Sequence, residues 1–329
     1  MDEASAGSAN QSGCIVSPFV SRERDRAVVL FSTHDGRHSE NVLPTAGNEP
    51  LTEVLESDRS SERDGTSYDE GLGVGRCPLR EARAPRPNSG GNGVGELTYS
   101  RYLRLPELLA LQQPLSGDDS PRQEVAEHFF IVTHQASELW LRQALLDLEA
   151  AVDALSPERL ELELALEHLE RAAQIAQLLV EHVAMLGKLP LSCFAAFREL
   201  LGTASGAQSS QFHALERVVG LRGGVSPVYE AFLAAVDASG LSVEQVYQDD
   251  LGAGALYRIA EALVDIAQRL WRWQAVHLEI VSRLVGEMPG TGRTSGVRYL
   301  VDRMNSAFPD LAEARRVMHE SHQAVAELI

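Results

Sequence analysis

The chain has only three cysteines in 329 residues, Cys14, Cys77 and Cys193. They can close at most one bridge, so no disulfide framework holds this protein. Their wide spacing offers no C-x-x-C pair for a metal or redox centre. No run of eighteen apolar residues occurs, which excludes an ordinary membrane-spanning helix, and no membrane partner is expected. The most apolar stretch, 172–185, is interrupted by Gln174, Gln177, Glu181 and His182. Positive charge is scarce: 29 basic residues face 47 acidic ones, the net charge is −18, and Lys188 is the single lysine. Such a chain repels phosphate backbones, so no nucleic-acid partner is expected. The N-terminus MDEASAGSANQSG has neither the basic nor the apolar block of a secretory signal, and a cytoplasmic location is expected. Ser-His-Asp and Cys-His nucleophile motifs are missing as well.

What is present is unevenly spread. Of 26 glycines, 12 precede Glu96, while Trp140, Trp271 and Trp273 all follow it. Residues 1–95 contain segments such as ESDRSSERDGTSYDEG and RAPRPNSGGNGVG. This composition buries too little apolar surface to offset ordering entropy, and predicts a disordered leader or a coding start placed too early. A partner-binding tail is the alternative. Ala27–Phe31 has the composition of a short strand, but no partner strand is evident. His34 and His38 stand four apart there, too few ligands for a metal site.

From Leu97 the texture becomes helical. Glu124 to Leu155 carries Phe129, Phe130, Val132, Leu139, Trp140, Ala144 and Leu148 with no internal Gly or Pro, the pattern of a long helix. Ser156-Pro157 reads as the N-cap and first turn of the next helix, which runs to about Leu186 and stops at Gly187. A shorter helix follows Pro190, with Phe194, Phe197, Arg198 and Leu201 on one face. GTASGAQSS is a turn before a helix to Val219; Ser226-Pro227 opens another, and Ser242 with Gln245 forms a capping box. The second long helix spans Ala255–Val285, with a stripe through Leu256, Ile259, Leu263, Ile266, Leu270, Trp273, His277, Val281 and Leu284. Gly286 ends it. A Gly-rich loop follows, then a helix from Val297 to Met304 and a last helix capped by Asp310. No alternating strand, β-α-β rhythm or internal repeat is visible in this part, so residues 96–329 are expected to form one all-α unit.

Four features can carry chemistry. His277 sits in an apolar stripe, where a neutral imidazole must satisfy two ring nitrogens. It is either a core histidine bonded to a nearby acceptor or an axial haem ligand, with one nitrogen on iron and the other fixed by an acceptor. His134, in FFIVTHQASELW, shares a helix face with Phe130 and Glu138 and suits a pocket for a flat apolar ligand with one polar handle. Arg198 follows Phe194 on its face, as a carboxylate anchor would, although a surface ion pair is the plainer reading. The loop GTGRTSG (290–296) exposes backbone N–H groups suited to anions; it is neither a P-loop nor the opening of a Rossmann unit. His319 and His322, three apart, are too few to hold a metal unaided.

Five segments, in order, resemble the tryptophan 2,3-dioxygenase family: LTYSRYLRLPELLALQ, FFIVTHQASELWLRQALLDLEAA, FAAFRELLGTASGAQSSQF, WRWQAVHLEIVSRLVG and PGTGRTSGVRYL. The resemblance runs from about Leu97 to the C-terminus. It implies a helical haem-binding bundle, one haem b per subunit, and a homotetramer. By resemblance, His277 is the proximal haem ligand and His134 the distal, catalytic histidine near the indole N–H. Phe130 packs on the indole, followed by Ile131, Val132 and Thr133 at the substrate. Phe194 lines the pocket, Arg198 grips the substrate carboxylate, and Thr291 meets its ammonium and carboxylate. Tyr99 and Tyr102 reach into a neighbouring subunit's site.

The implied reaction adds both atoms of O₂ across the indole C2–C3 bond of L-tryptophan to give N-formylkynurenine, the first step of tryptophan catabolism by the kynurenine pathway. The chain departs from the family pattern at Arg293, where relatives usually carry glycine, and at His213, where they often carry arginine. The Arg198–His277 interval is also short. These departures keep open a haem monooxygenase of the same superfamily acting on a modified tryptophan or related aromatic. A non-catalytic sensor of haem or an aromatic amino acid is the reading from another class.

Overall fold

The computed structural model describes residues 20–23, 26–32, 38–42, 97–117, 120–286, 288–292 and 294–326. The chain divides into two compact units, Met1–Arg76 and Cys77–Ile329. In the first, β1 (Val20–Glu23), β2 (Arg26–Ser32) and β3 (His38–Val42) form an antiparallel sheet in that order. Val20 pairs with Val29, and Val28 with Val42. The expected strand at Ala27–Phe31 therefore exists within β2 and has two partners. Neither partner carries the run of branched apolar residues that marks a strand in a sequence. The other residues of the expected 1–95 leader, His34 among them, lie outside the described residues.

The second unit is all-α among the described residues. The short α1 (Tyr99–Leu103) and α2 (Leu105–Leu108) bury nothing. They lead to α3 (Pro121–Leu155), α4 (Leu162–Met185), α5 (Leu191–Arg198) and α6 (Ser210–Val218). Then come α7 (Pro227–Ala238), α8 (Val243–Asp249), α9 (Ala255–Val285), α10 (Val297–Val301) and α11 (Pro309–Ala326). No single described helix is long and apolar enough to cross a membrane.

The core is built on α4, which packs along both α3 and α9. Its inner positions alternate small and large residues: Ala165, Leu166, Leu169, Ala172, Ala173, Ala176 and Leu179 are all buried. Alanines let the neighbouring helices approach, and leucines fill the space between them. A second cluster gathers Phe194 and Phe197 of α5 with Val183 of α4 and Ile280 and Leu284 of α9. Trp273 packs against both clusters, and the cavity described below opens beside it.

Several local expectations hold. The Ser226 hydroxyl caps α7 with Pro227 in its first turn, and Ser242 and Gln245 exchange the two bonds of a capping box. Others differ. Ser156 terminates α3, donating its hydroxyl to the Asp153 carbonyl, and α4 begins only at Leu162. Pro157 falls in the intervening turn, because the chain must reverse before the apolar stripe of α4 resumes. Gly187 lies in a 3₁₀ turn after α4. Leu186 is the C-cap of α4, so Gly187 does hold the expected C′ position; a Cβ there would also come within 3.0 Å of the Ile280 Cδ1 on α9. α10 stops at Val301 rather than Met304, and α11 starts at Pro309 with Asp310 inside its first turn.

One buried ionic cluster joins α3 to α4. Asp147, 2 % exposed, accepts from Arg171 Nη2 at 2.7 Å and Nε at 2.9 Å, and from Gln143 Nε2 at 3.0 Å; His168 Nδ1 lies at 2.9 Å. Burial pushes the carboxyl up, but the Arg171, Gln143 and His168 bonds together bring it below the ordinary aspartate value. A depressed carboxyl stabilises the fold above its unfolded pKa, and that contribution is lost as pH falls through the folded value. Asp147→Asn is expected to destabilise by about 1–3 kcal/mol at pH 7. Thermal unfolding will show the gap from the parent protein closing below about pH 4; a gap constant from pH 7 to pH 3 contradicts this account.

Candidate active site

A partly open cavity of about 300 Å³ lies between α3, α5, α9, α10 and the loops around 204–209 and 288–296. On α3, Phe130, Thr133, His134, Ser137, Glu138 and Leu141 line it. These positions recur every three or four residues, so one helical face supplies that wall. Ile131 and Val132, expected at the substrate, do not line the cavity. They sit about 100° and 200° around the helix from Phe130. Val132 belongs instead to an exposed stripe with Val125, Leu139 and Leu146, each seven residues apart.

The wall opposite comes from α9. Trp273, Gln274, His277, Val281 and Val285 face inward. Trp273 stacks obliquely on His277, centroids 5.0 Å apart, and on Phe212 at 4.8 Å. Burial pushes His277 down to about 4, with a smaller push from His134. Its imidazole is therefore neutral at neutral pH. Among the described residues neither ring nitrogen has a hydrogen-bond partner, so the acceptor expected for the second nitrogen is not there. A neutral imidazole with unpartnered nitrogens, inside an apolar cavity, would be suited to hold an iron centre.

His134 is oriented from its own helix. Its Nδ1 lies 2.7 Å from the Phe130 carbonyl. A carbonyl only accepts, so Nδ1 carries the proton and Nε2 is left as an acceptor. The ring stacks on Phe130 at 4.1 Å. Burial lowers the His134 pKa, against opposing effects of the Phe130 bond and the Glu138 charge. The ring carries accessible surface, but this faces the cavity, which is why desolvation dominates. Phe130, Phe194 and Phe197 form an aromatic cluster behind it, with Phe197 edge-on to both neighbours at 5.4 and 5.5 Å.

A polar corner closes the other end. Arg198 Nη2 donates to the Pro289 carbonyl at 2.6 Å, and Thr291 Oγ1 donates to the Ala204 carbonyl at 2.6 Å. The Gly-rich loop is thereby fastened to α5 and to the segment after it by the two residues expected to meet a substrate. Arg293 lies outside the described residues. Beside this corner, His213 and the buried Glu216 also face the cavity. Glu216 Oε2 accepts from Arg222 Nε at 2.7 Å, and the His213 Nε2 donates to the Ala207 carbonyl at 2.8 Å.

Phe130, Thr133, His134, Phe194, Arg198, His277 and Thr291 thus come together around one cavity. Tyr99 and Tyr102 do not; they are 75 % and 70 % exposed on α1. Sequence reading did not single out Phe212, Ser205, Tyr299 or Arg303, which also line the cavity. Ser205, Phe212 and Tyr299 fall within the family-like segments FAAFRELLGTASGAQSSQF and PGTGRTSGVRYL, whereas no stripe or motif marks Arg303. The side chains of His319 and His322 on α11 lie outside the described residues. No cluster of three or more metal-ligating side chains occurs among the described residues.

A family model described as "Tryptophan 2,3-dioxygenase" matches residues 86–237 and 230–318. The tryptophan 2,3-dioxygenase of Caulobacter vibrioides is 32% identical over 265 residues, covering 67% of this chain and 98% of that protein. That of Geobacillus thermodenitrificans is 31% identical over 66% of this chain and 90% of its own length. That of Bacillus thuringiensis is 30% identical over 67% and 92%.

The loop's geometry can be probed apart from any ligand. Gly296 has φ +63°, and a Cβ there would meet the Met288 carbonyl oxygen at 2.6 Å. Gly296→Ala is expected to open the 288–296 segment, raising its rate of limited proteolysis several-fold while the melting temperature of the helical unit changes little. Unchanged cleavage would show that this turn does not hold the loop.

Proposed function

Because the chain belongs to the tryptophan 2,3-dioxygenase family of oxidoreductases, we propose that it inserts O₂ across the C2–C3 bond of L-tryptophan to give N-formylkynurenine. The single observation that carries this reading is the cavity in which His277 and His134 stand on α9 and α3 as neutral imidazoles, with His277 lacking a hydrogen-bond partner among the described residues. The family is haem-dependent, and the residues fit the group: one unpartnered imidazole nitrogen as ligand, and apolar and aromatic walls around it. His277 would hold the iron, and haem would supply the binding and activation of O₂.

The chain's own residues do the positioning. Phe130 and Phe194 offer flat apolar surface to an indole. His134 Nε2 accepts a hydrogen bond from the indole N–H; an indole is too weak an acid for this histidine to serve as an obligatory base. Arg198 holds the amino-acid carboxylate, and Thr291 contacts the carboxylate and ammonium, so substrate entry exchanges their present bonds to Pro289 and Ala204. Burial around the two imidazoles excludes water and fixes the indole's orientation.

The proposed assembly is a cytoplasmic homotetramer. Its support is the exposed apolar stripe Val125, Val132, Leu139 and Leu146, together with an N-terminal segment exposing Leu97, Tyr99, Tyr102 and Leu109. Soluble monomers rarely leave such surface open. Tyr99 and Tyr102, outside this subunit's cavity, are the residues proposed to complete a neighbour's. The all-α unit from 96 is the proposed catalytic domain.

Incubating the ferrous protein with L-tryptophan and O₂ and weighing the product tests the activity. A gain of two oxygens is expected; a gain of one would replace this reading with a monooxygenase, and no turnover of any indole would favour a sensor. His277→Ala is expected to abolish or strongly reduce the Soret band, and an unchanged spectrum would remove His277 as ligand. Arg198→Ala should weaken binding of L-tryptophan by tenfold or more while leaving indole nearly unaffected; equal losses for both contradict the carboxylate clamp.

A further inference from the structure

One cation in the cavity wall has no task in that reaction. Arg303 follows α10 and lines the cavity together with Tyr299, its guanidinium lying 4.3 Å from the centre of the Tyr299 ring. Arg171, Arg222, Arg258, Arg315 and Arg316 all pair with carboxylates. Arg303 has no carboxylate partner among the described residues, in a chain with 47 acidic residues.

Arg303 is exposed at the mouth of the cavity, but the chain beside it is anchored. Gln274 Nε2 donates to the Asn305 carbonyl at 3.1 Å, and Gln274 Oε1 accepts from the Asn305 N–H at 3.2 Å. This pair of hydrogen bonds ties the segment beside Arg303 to α9, about one turn before His277. Tyr299 supplies a cation–π seat that limits the side chain's freedom. A planar guanidinium so held presents a fork of donors matched to a carboxylate. Arg198, by contrast, already spends a donor on Pro289.

We propose that Arg303, steadied by Tyr299, is a second carboxylate-binding position of the cavity, distinct from Arg198. Two sources carry that chemistry: a propionate of the cofactor, which rests on the haem reading above, and the carboxylate of the amino-acid ligand. The tie to α9 beside His277 places the position on the cofactor's side and favours the propionate.

The test uses full-length protein purified without cofactor, as parent, Arg303→Ala and Arg303→Lys, checked first for equal helicity and melting temperature. Each is titrated with haemin and with haemin dimethyl ester by Soret absorbance, and with L-tryptophan and tryptamine by calorimetry. The expected result is a Kd for haemin at least fivefold higher in Arg303→Ala, an unchanged Kd for the ester, and partial recovery in Arg303→Lys. Unchanged porphyrin binding with selective loss of L-tryptophan over tryptamine supports the same position with the other source. No change for any ligand, or equal losses for the carboxylate and its carboxylate-free counterpart, overturns the proposal. Failure of the parent to bind either porphyrin refutes the haem reading itself, while the tryptophan and tryptamine pair still decides whether Arg303 holds a carboxylate.

Discussion

The packing of α4 against α3 on one side and α9 on the other sets the geometry of the cavity. Helical periodicity decides which residues of each long helix face inward, but only a common partner can fix how two such faces are turned toward each other. The buried alanines of α4 bring its neighbours close, and the leucines between them set the spacing. Asp147 adds a polar tie between α3 and α4, where Arg171 and Gln143 satisfy a carboxylate that burial alone would penalise.

Enclosure then does electrostatic work. Both His134 and His277 are held neutral chiefly by loss of water, and the consequences differ because their surroundings differ. His134 spends Nδ1 on its own helix and offers Nε2 as an acceptor. His277 has no such tether, and its neutral ring keeps both nitrogens without a partner among the described residues. One environment leaves a single accepting nitrogen, as the proposed hydrogen-bonding role requires, and the other leaves a ring open to the proposed iron. Two imidazoles of ordinary chemistry thus acquire separate roles from the helices that carry them.

The polar end of the cavity follows a different logic. Arg198 and Thr291 are engaged with backbone carbonyls of neighbouring segments, so the groups best suited to bind an amino acid also hold the Gly-rich loop in place. A ligand arriving there competes with existing bonds, and its net gain is the difference between the two sets. Arg303, on the α9 side, has no such competitor among the described residues.

Much of this was legible in order along the chain. The limits of α9, the caps at Ser226 and Ser242, and the shared face of Phe130, His134 and Glu138 all follow from local rules of spacing and capping. The family resemblance named the residues that the cavity gathers. Local rules misread Ser156-Pro157, because proline is equally at home in a reversing turn. The resemblance also named Ile131, Val132, Tyr99 and Tyr102, which do not line this cavity; for the first two the reason is that a helix turns successive residues to different sides. Periodicity and capping are short-range, so the sequence could mark the helices and the candidate chemistry. Whether His277 has an acceptor, what Arg198 touches, and that Arg303 joins the cavity are long-range facts, decided only when α9, α10 and the loops pack together.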